Sequence, residues 1–250
     1  MSIEILNAGE IEKMKRAGRV AAETLAWIGE RIEPGITTGE IDRLVREDTA
    51  RRGGKPSQLG YKGFPAAVCT SRNHIVCHGI PNQKELLVDG DIVNVDVTTN
   101  LDGYHGDTSA TFIVGTAKPE AVRLVEVARR CRDAGISVIR EGARLGDIGA
   151  AIEEVARAEG VTIVTELGGH GIGRRMHADP HVNHTGKAGT GIRLKAGMAL
   201  TVEPMVNQGK AAVKFLDDGW TVVTADGKLS AQWEHTVIVT PTGHLLTTLL

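Results

Sequence analysis

Cysteine is nearly absent from this chain: Cys69, Cys77 and Cys131 are all it has. Three scattered thiols with no CxxC pair exclude a structural zinc module. They also argue against a disulfide framework and fit a reducing cytoplasm. Long apolar runs are missing too. No stretch approaches the roughly 18–20 residues that a membrane-crossing helix needs. The opening "MSIEILNAGEIEKMKRAG" is charged and amphipathic, with no apolar signal core. Nor is basic charge in excess. With 29 Lys and Arg against 31 Asp and Glu the net charge is −2, so no basic footprint invites general nucleic-acid binding. Low-complexity segments and obvious linkers are lacking as well. Glycine is plentiful, at 31 residues of 250, as expected where backbone and loops approach a ligand closely.

What is there repeats itself. A shift of 107 positions carries Asp96 in "DGDIVNVDV" onto Glu203 in "AGMALTVEP". The same shift aligns Gly35 with Gly142, Gly39 with Gly146, Glu40 with Asp147 and Ile41 with Ile148. After an insertion, "GDTSATFIV" around Asp107 falls on "WEHTVIV" around Glu234. Each half therefore offers one acid in a strand-like run and another in a later strand. Neither half holds a full ligand set, so the expectation is one domain over 1–250 made of two related halves, about 8–115 and 116–240.

Periodicity gives the order of elements. Ile11, Met14, Val20, Ala21, Leu25 and Ile28 make 8–30 an amphipathic helix. "PGITTGEIDRLVRE" opens a second, with Thr37 and Glu40 in capping-box spacing. The run "RRGGKPSQ" at 51–58 reads as a flexible loop, and 60–113 as short β-branched strands divided by Gly, Pro and Asn. From Pro119 the pattern restarts, with a helix to about Arg140, another over 146–159, then strands. Helix, helix, strands, twice, predicts an α+β fold. Two helix pairs cover one face of a largely antiparallel sheet, with approximate two-fold symmetry.

The acids carry the chemistry. Side chains alternate along a strand, so Asp96 shares a face with Ile92, Asn94 and Thr98, while Val93, Val95 and Val97 take the other. Asp107 shares a face with Ser109 and Thr111, and "LDG" between the runs is a hairpin signal. Any even-length loop there sets Asp96 and Asp107 on one face, opposed or diagonal. Carboxylates so placed repel and lose hydration, and a multivalent cation relieves both effects. Singly, each acid reads equally as a solvated residue on an exposed sheet; the repeated pair, joined by Glu203 and Glu234, favours a metal.

Histidines complete the set. His170 in "ELGGHGIGRRMH" has glycines on both sides, which make room for an ion or substrate. The stretch does not satisfy GxGxxG, and no strand-to-helix phosphate loop follows. His78 in "CHGIP" and His177 in "HADP" each have a Pro three residues on. Turn histidines would look the same as imidazoles set to donate to a carbonyl oxygen.

Taken together, "NVDVT", "GDTSATFIVG", "GHGIGRRMH", "TVEPMV" and "EHTVIV", with "VCHGIP" and "DGWTV", resemble the type I methionine aminopeptidases of the bacterial kind over nearly the whole chain. The resemblance implies the pita-bread fold and removal of the initiator Met of nascent polypeptides when the second residue is small. It implies two divalent ions held by Asp96, Asp107, His170, Glu203 and Glu234, with Asp107 and Glu234 bridging. Glu203 would also shuttle the proton, His78 and His177 would position the peptide, and the substrate's free α-amine would bind a metal. Tyr61, Phe64, Cys69, Met176 and Trp220 stand at positions of the methionine pocket. Phe64 replaces a frequent Tyr, and Met176 a common aromatic. Asn73 and Ser230 resemble residues near a monovalent-cation site.

Four carboxylates and one imidazole suit Mn, Fe or Co and accept Zn. The expected partners are nascent N-termini and, transiently, the ribosome; a cytoplasmic monomer is expected. Two other readings differ in a checkable way. Xaa-Pro peptidases share the ligand order but usually carry an additional N-terminal domain, for which this sequence leaves no room. A catalytically dead pita-bread protein that binds partners would have lost ligands, and all five are kept here.

Overall fold

The protein's architecture comes from a computed structural model that describes residues 3–250. Helices α1 (Ala8–Gly29) and α2 (Thr38–Arg51) open it. Strands β1 (Lys55–Pro56), β2 (Cys69–Arg72) and β3 (Ile75–Cys77) precede the long hairpin of β4 (Ile92–Leu101) and β5 (Tyr104–Ile113). Helices α3 (Pro119–Ser137) and α4 (Leu145–Glu159) follow. The rest is strand: β6 (Thr162–Ile163), β7 (Gly169–Gly171), β8 (Ala178–Val182), β9 (Ala199–Val202) and β10 (Met205–Asn207). It continues with β11 (Val213–Phe215), β12 (Val222–Thr224), β13 (Ser230–Gln232), β14 (His235–Thr240) and β15 (Gly243–Leu246).

Local chemistry sets the helix ends. Asn7 and Glu10 form a reciprocal capping box at α1, Glu10 N–H donating to Asn7 Oδ1 at 3.1 Å and Asn7 N–H to Glu10 Oε2 at 2.9 Å. The box expected from Thr37 and Glu40 is only half made. Thr37 accepts from the Glu40 N–H, but Arg43 takes the Glu40 carboxylate with hydrogen bonds of 2.9 and 2.5 Å. Pro119 sits at the first position of α3, where its missing N–H costs nothing. That helix stops at Ser137, short of Arg140, because Ile139 N–H turns back to Ile136 O.

Every strand pair is antiparallel. One sheet runs β1–β4–β2 with β5 on β4; another runs β15–β14–β9–β7–β8. The smaller sheets are β13–β10–β6 and β11–β12–β3. The 51–58 segment departs from the loop expected of it. Lys55 and Pro56 pair with Asn100 and Thr99, and Gln58 is buried. Proline at a sheet edge is what the ladder tolerates, since no N–H is needed there.

Each helix pair has its own core. Ala21, Leu25, Ile28, Ile41 and Val45 pack on Val93, Val95 and Val97, the face predicted for the valines. Leu124, Ala128, Ile148 and Ile152 pack on Leu200, Val202 and Val237. The duplication shows in detail. Thr37 makes an isolated bridge to Leu86, and Arg144 makes one to Arg193, both positions displaced by the same interval as the sequence repeat. Ile41 and Ile148 are both fully buried. Trp233 packs against both cores.

Helix α1 reaches the β4–β5 hairpin at backbone contact. A Cβ on Gly106 would lie 2.4 Å from Gly18 Cα, so no side chain fits there. Gly106→Ala should push α1 off the sheet and destabilise the protein by about 2 kcal/mol, the usual scale of overpacking. A denaturant midpoint equal to wild type would contradict this contact.

Candidate metal centre

The hairpin delivers the first two acids. Asp102 (φ 52°) and Gly103 (φ 79°) make a two-residue turn with both central residues left-handed. That register pairs Asp96 with Ser109 and Thr98 with Asp107, so Asp96 and Asp107 are diagonal neighbours on one face, as the even-length loop required. Thr98 Oγ1 donates to Asp107 Oδ1 at 2.7 Å, and the Asp107 N–H donates to Thr236 Oγ1 at 3.0 Å.

The second half supplies a histidine and two more acids. His170 lies on β7, with Nδ1 3.0 Å from Gly171 O; donation there leaves Nε2 free to face the acids. Nε2 is 3.6 Å from Glu203 Oε1 and 3.8 Å from Asp107 Oδ2. One hydroxyl aligns two of these residues: Thr201 Oγ1 accepts from the His170 N–H at 2.9 Å and donates to Glu203 Oε1 at 2.6 Å. Glu203 follows β9 directly, and Pro204 interrupts the ladder before β10, as expected. Gln232 Nε2 donates to Glu203 Oε2 at 3.2 Å. Glu234 is placed differently from the expectation. It sits in the break between β13 and β14 rather than within a strand, its N–H donating to Ser109 O at 3.0 Å. The break lets that peptide bond to β5 instead of a neighbouring strand, which turns Glu234 in toward Asp107.

One carboxylate oxygen each from Asp107 and Glu234 and one His170 nitrogen lie within 4.8 Å of one another. The Asp96 carboxyl lies beside that of Asp107, and the Glu203 carboxyl beside that of Glu234. Burial pushes all four acids up: Asp107 to about 6, Glu203 to about 8, Asp96 and Glu234 well above the ordinary range. Repulsion from neighbouring carboxylates adds to this at Asp96, Glu203 and Glu234. Burial, then the neighbouring His177, brings His170 down to about 3, so it is a neutral donor nitrogen. Asp96 Oδ1 is buried without a partner. Hard oxygens in excess, one imidazole nitrogen and an orphaned carboxylate oxygen fit divalent cations.

Beside the acids, one recess gathers His78, His177, Tyr61, Phe64, Cys69, Met176 and Trp220. Tyr61 stacks on His177 at 5.1 Å between ring centroids, and Phe64 meets Trp220 edge-on at 5.1 Å. His177 lies 4.1 Å from His170, ring to ring. Burial lowers His177 to about 4 and lowers His78 too, so both are neutral near pH 7. His78 has φ 55°, an uncommon backbone for this residue. Beside it Gly79 lies at backbone contact with β2: a Cβ there would stand 2.1 Å from Thr70 O.

Five supporting residues were given no role in the sequence reading, though Thr98 was placed on the face of Asp96. Thr98, Thr201 and Gln232 each stand two positions before or after one of the clustered acids, a signal that period-two alternation carries. His184, whose Nε2 accepts from the Glu203 N–H at 3.1 Å, and Gln58, whose Nε2 donates to Asp96 O at 2.8 Å, carry no such signal. Asn73 and Ser230 meet each other outside the recess, the Ser230 N–H donating to Asn73 O at 2.8 Å.

The sequence model of metallopeptidase family M24 matches residues 12–241. The chain belongs to that family. It is 49% identical over 248 residues to methionine aminopeptidase A of Synechocystis, covering 99% of this chain and 98% of that one. It is 46% identical to the methionine aminopeptidase of Escherichia coli K12, covering 100% and 95%. The crystal structure of methionine aminopeptidase from Rickettsia prowazekii superposes with a TM-score of 0.98 at 46% identity, over 99% of this chain and 100% of that one. Membership in the methionine aminopeptidase branch, and the pita-bread fold that the resemblance implied, are both borne out, and M24 membership brings divalent metal ions with it. No helix among the described residues is long and apolar enough to cross a membrane.

Proposed function

We propose that this chain removes the N-terminal methionine of new polypeptides when the second residue is small. The reading rests on one juxtaposition: four buried carboxylates and a neutral imidazole open onto a recess lined by Phe64, Met176 and Trp220. Asp96, Asp107, His170, Glu203 and Glu234 would hold the divalent ions. Bound divalent ions supply a water of lowered pKa and polarise the scissile carbonyl.

The chain's own residues do the rest. The recess takes the methionine side chain against Phe64, Cys69, Met176 and Trp220, where polarisable sulfur meets aromatic edges. Phe64 contributes ring surface with no hydroxyl to satisfy. His78 and His177, uncharged, donate N–H groups to the substrate carbonyl and to the oxyanion that develops there. Glu203, whose buried carboxyl holds a proton readily, takes the water's proton and returns it to the leaving amine.

The ions are Co, Mn, Fe or Zn, since no soft ligand is in the set. A monovalent cation near Asn73 and Ser230 accords with the buried, unpartnered Ser230 Oγ. The chain works as a cytoplasmic monomer on nascent chains, with transient ribosome association and no nucleic-acid specificity. Its single catalytic domain, residues 1–250, joins halves at about 8–115 and 116–240.

The test is hydrolysis of Met-Ala-Ser and Ala-Pro-Ala by chelator-stripped protein, with each metal restored singly. Metal-dependent release of Met with the Pro peptide untouched is expected. Cleavage of the Pro peptide alone moves the chain to the Xaa-Pro branch, and silence on both despite bound metal favours partner binding.

A further inference from the structure

Trp220 closes the recess, meeting Phe64 edge-on at 5.1 Å and His78 at 6.2 Å between ring centroids. The element that carries it is thin. β11 and β12 form a hairpin whose tip, from Lys214 to Gly219, is exposed, with Phe215 and Leu216 turned to solvent. β12 continues onto β3 with an irregular register, and β3 ends at Cys77, next to His78. A small rotation of the tip therefore moves the indole against both Phe64 and His78.

One side chain organises that tip. Asp218 Oδ1 accepts from the Trp220 N–H at 2.9 Å and the Thr221 N–H at 2.8 Å, and Oδ2 accepts from Thr221 Oγ1 at 2.6 Å. This is an Asx-type turn closed by an ionised acceptor, the stronger class of hydrogen bond. The backbone adds only Leu216 N–H to Thr221 O at 2.9 Å and Gly219 N–H to Leu216 O at 3.2 Å, neither of which holds the Trp220 peptide.

We propose that Asp218 is a positioning residue for substrate selectivity: its turn fixes Trp220 over the recess and so sets the preference for a methionine side chain. It touches no reacting atom, and its effect passes wholly through the indole. The assignment rests on the aminopeptidase reading above. Asp218→Ala frees the Trp220 peptide, and the recess loses its fixed wall. Asp218→Asn keeps an oxygen where the two backbone N–H groups point.

The experiment compares metal-loaded wild type, Asp218→Ala and Asp218→Asn on Met-Ala-Ser, and on the same peptide with norleucine or leucine first. The alanine variant should raise KM for Met-Ala-Ser roughly three- to ten-fold with kcat within about two-fold, the scale of one exposed hydrogen-bonding group. Its preference for Met over Leu should narrow, and the asparagine variant should recover most of both. Unaltered KM and selectivity in Asp218→Ala, or a fall in kcat at constant KM, overturns the assignment while leaving the aminopeptidase reading standing. Failure of wild type to release Met overturns both.

Discussion

Asp107→Ala is expected to abolish metal-dependent turnover with the fold retained. Asp107 is the residue on which both halves converge. Its carboxylate meets Asp96 along the sheet, His170 across the cleft at 3.8 Å, and Glu234 within the same cluster. On the proposed assignment, losing this ligand would remove polarising charge worth several kcal/mol of transition-state stabilisation, or roughly a thousand-fold or more in rate. The fold should hold because the deleted group is itself under strain. Burial pushes its carboxyl up to about 6, so the ionised form opposes folding at neutral pH. The sign then reverses between states. Without metal, Asp107→Asn should melt above chelated wild type, by on the order of 2 kcal/mol. With metal, the wild type should be the more stable. Near-normal turnover in Asp107→Ala, or a chelated asparagine variant less stable than chelated wild type, would remove Asp107 from the centre of the site.

His177→Ala is expected to lower kcat by roughly 100- to 1,000-fold, the range for one oxyanion-type donor, with metal content unchanged. The imidazole lies against both His170 and Tyr61. It is held neutral, down to about 4, first by burial and then by its cationic and imidazole neighbours. A neutral ring donates through one N–H without competing for a carboxylate. Metal analysis beside kinetics decides the matter: if the ions leave with the ring, His177 is a ligand and the donor role is wrong.

The legible part of the sequence was whatever a strand's alternation or a helix's stripe records. Asp96 and Asp107 are diagonal neighbours because β4 and β5 are contiguous and share a two-residue turn, so local reading sufficed. The paired helices were readable for the same reason. Glu234 was picked out by the repeat but misplaced in a strand, because the break between β13 and β14 comes from its peptide bonding to Ser109, far back in the chain. Gln58 was lost inside a supposed loop, since only the non-local pairing of Lys55 with Asn100 makes that segment ordered. Arg43 capturing Glu40 shows a smaller failure of the same type. Capping spacing was right, and a side chain three residues on competed for the carboxylate.

Trp233 lies immediately before Glu234, donates from Nε1 to Val125 O of α3 at 3.1 Å, and packs on both cores. A machinist would call the neighbouring Glu234 carboxylate the end of two tolerance stacks. Asp96 and Asp107 are located from one half and His170, Glu203 and Glu234 from the other, so each half's small errors meet at the acid cluster. A substitution deep under either helix pair, touching nothing catalytic, is thereby felt as a change of spacing between the two sets of oxygens.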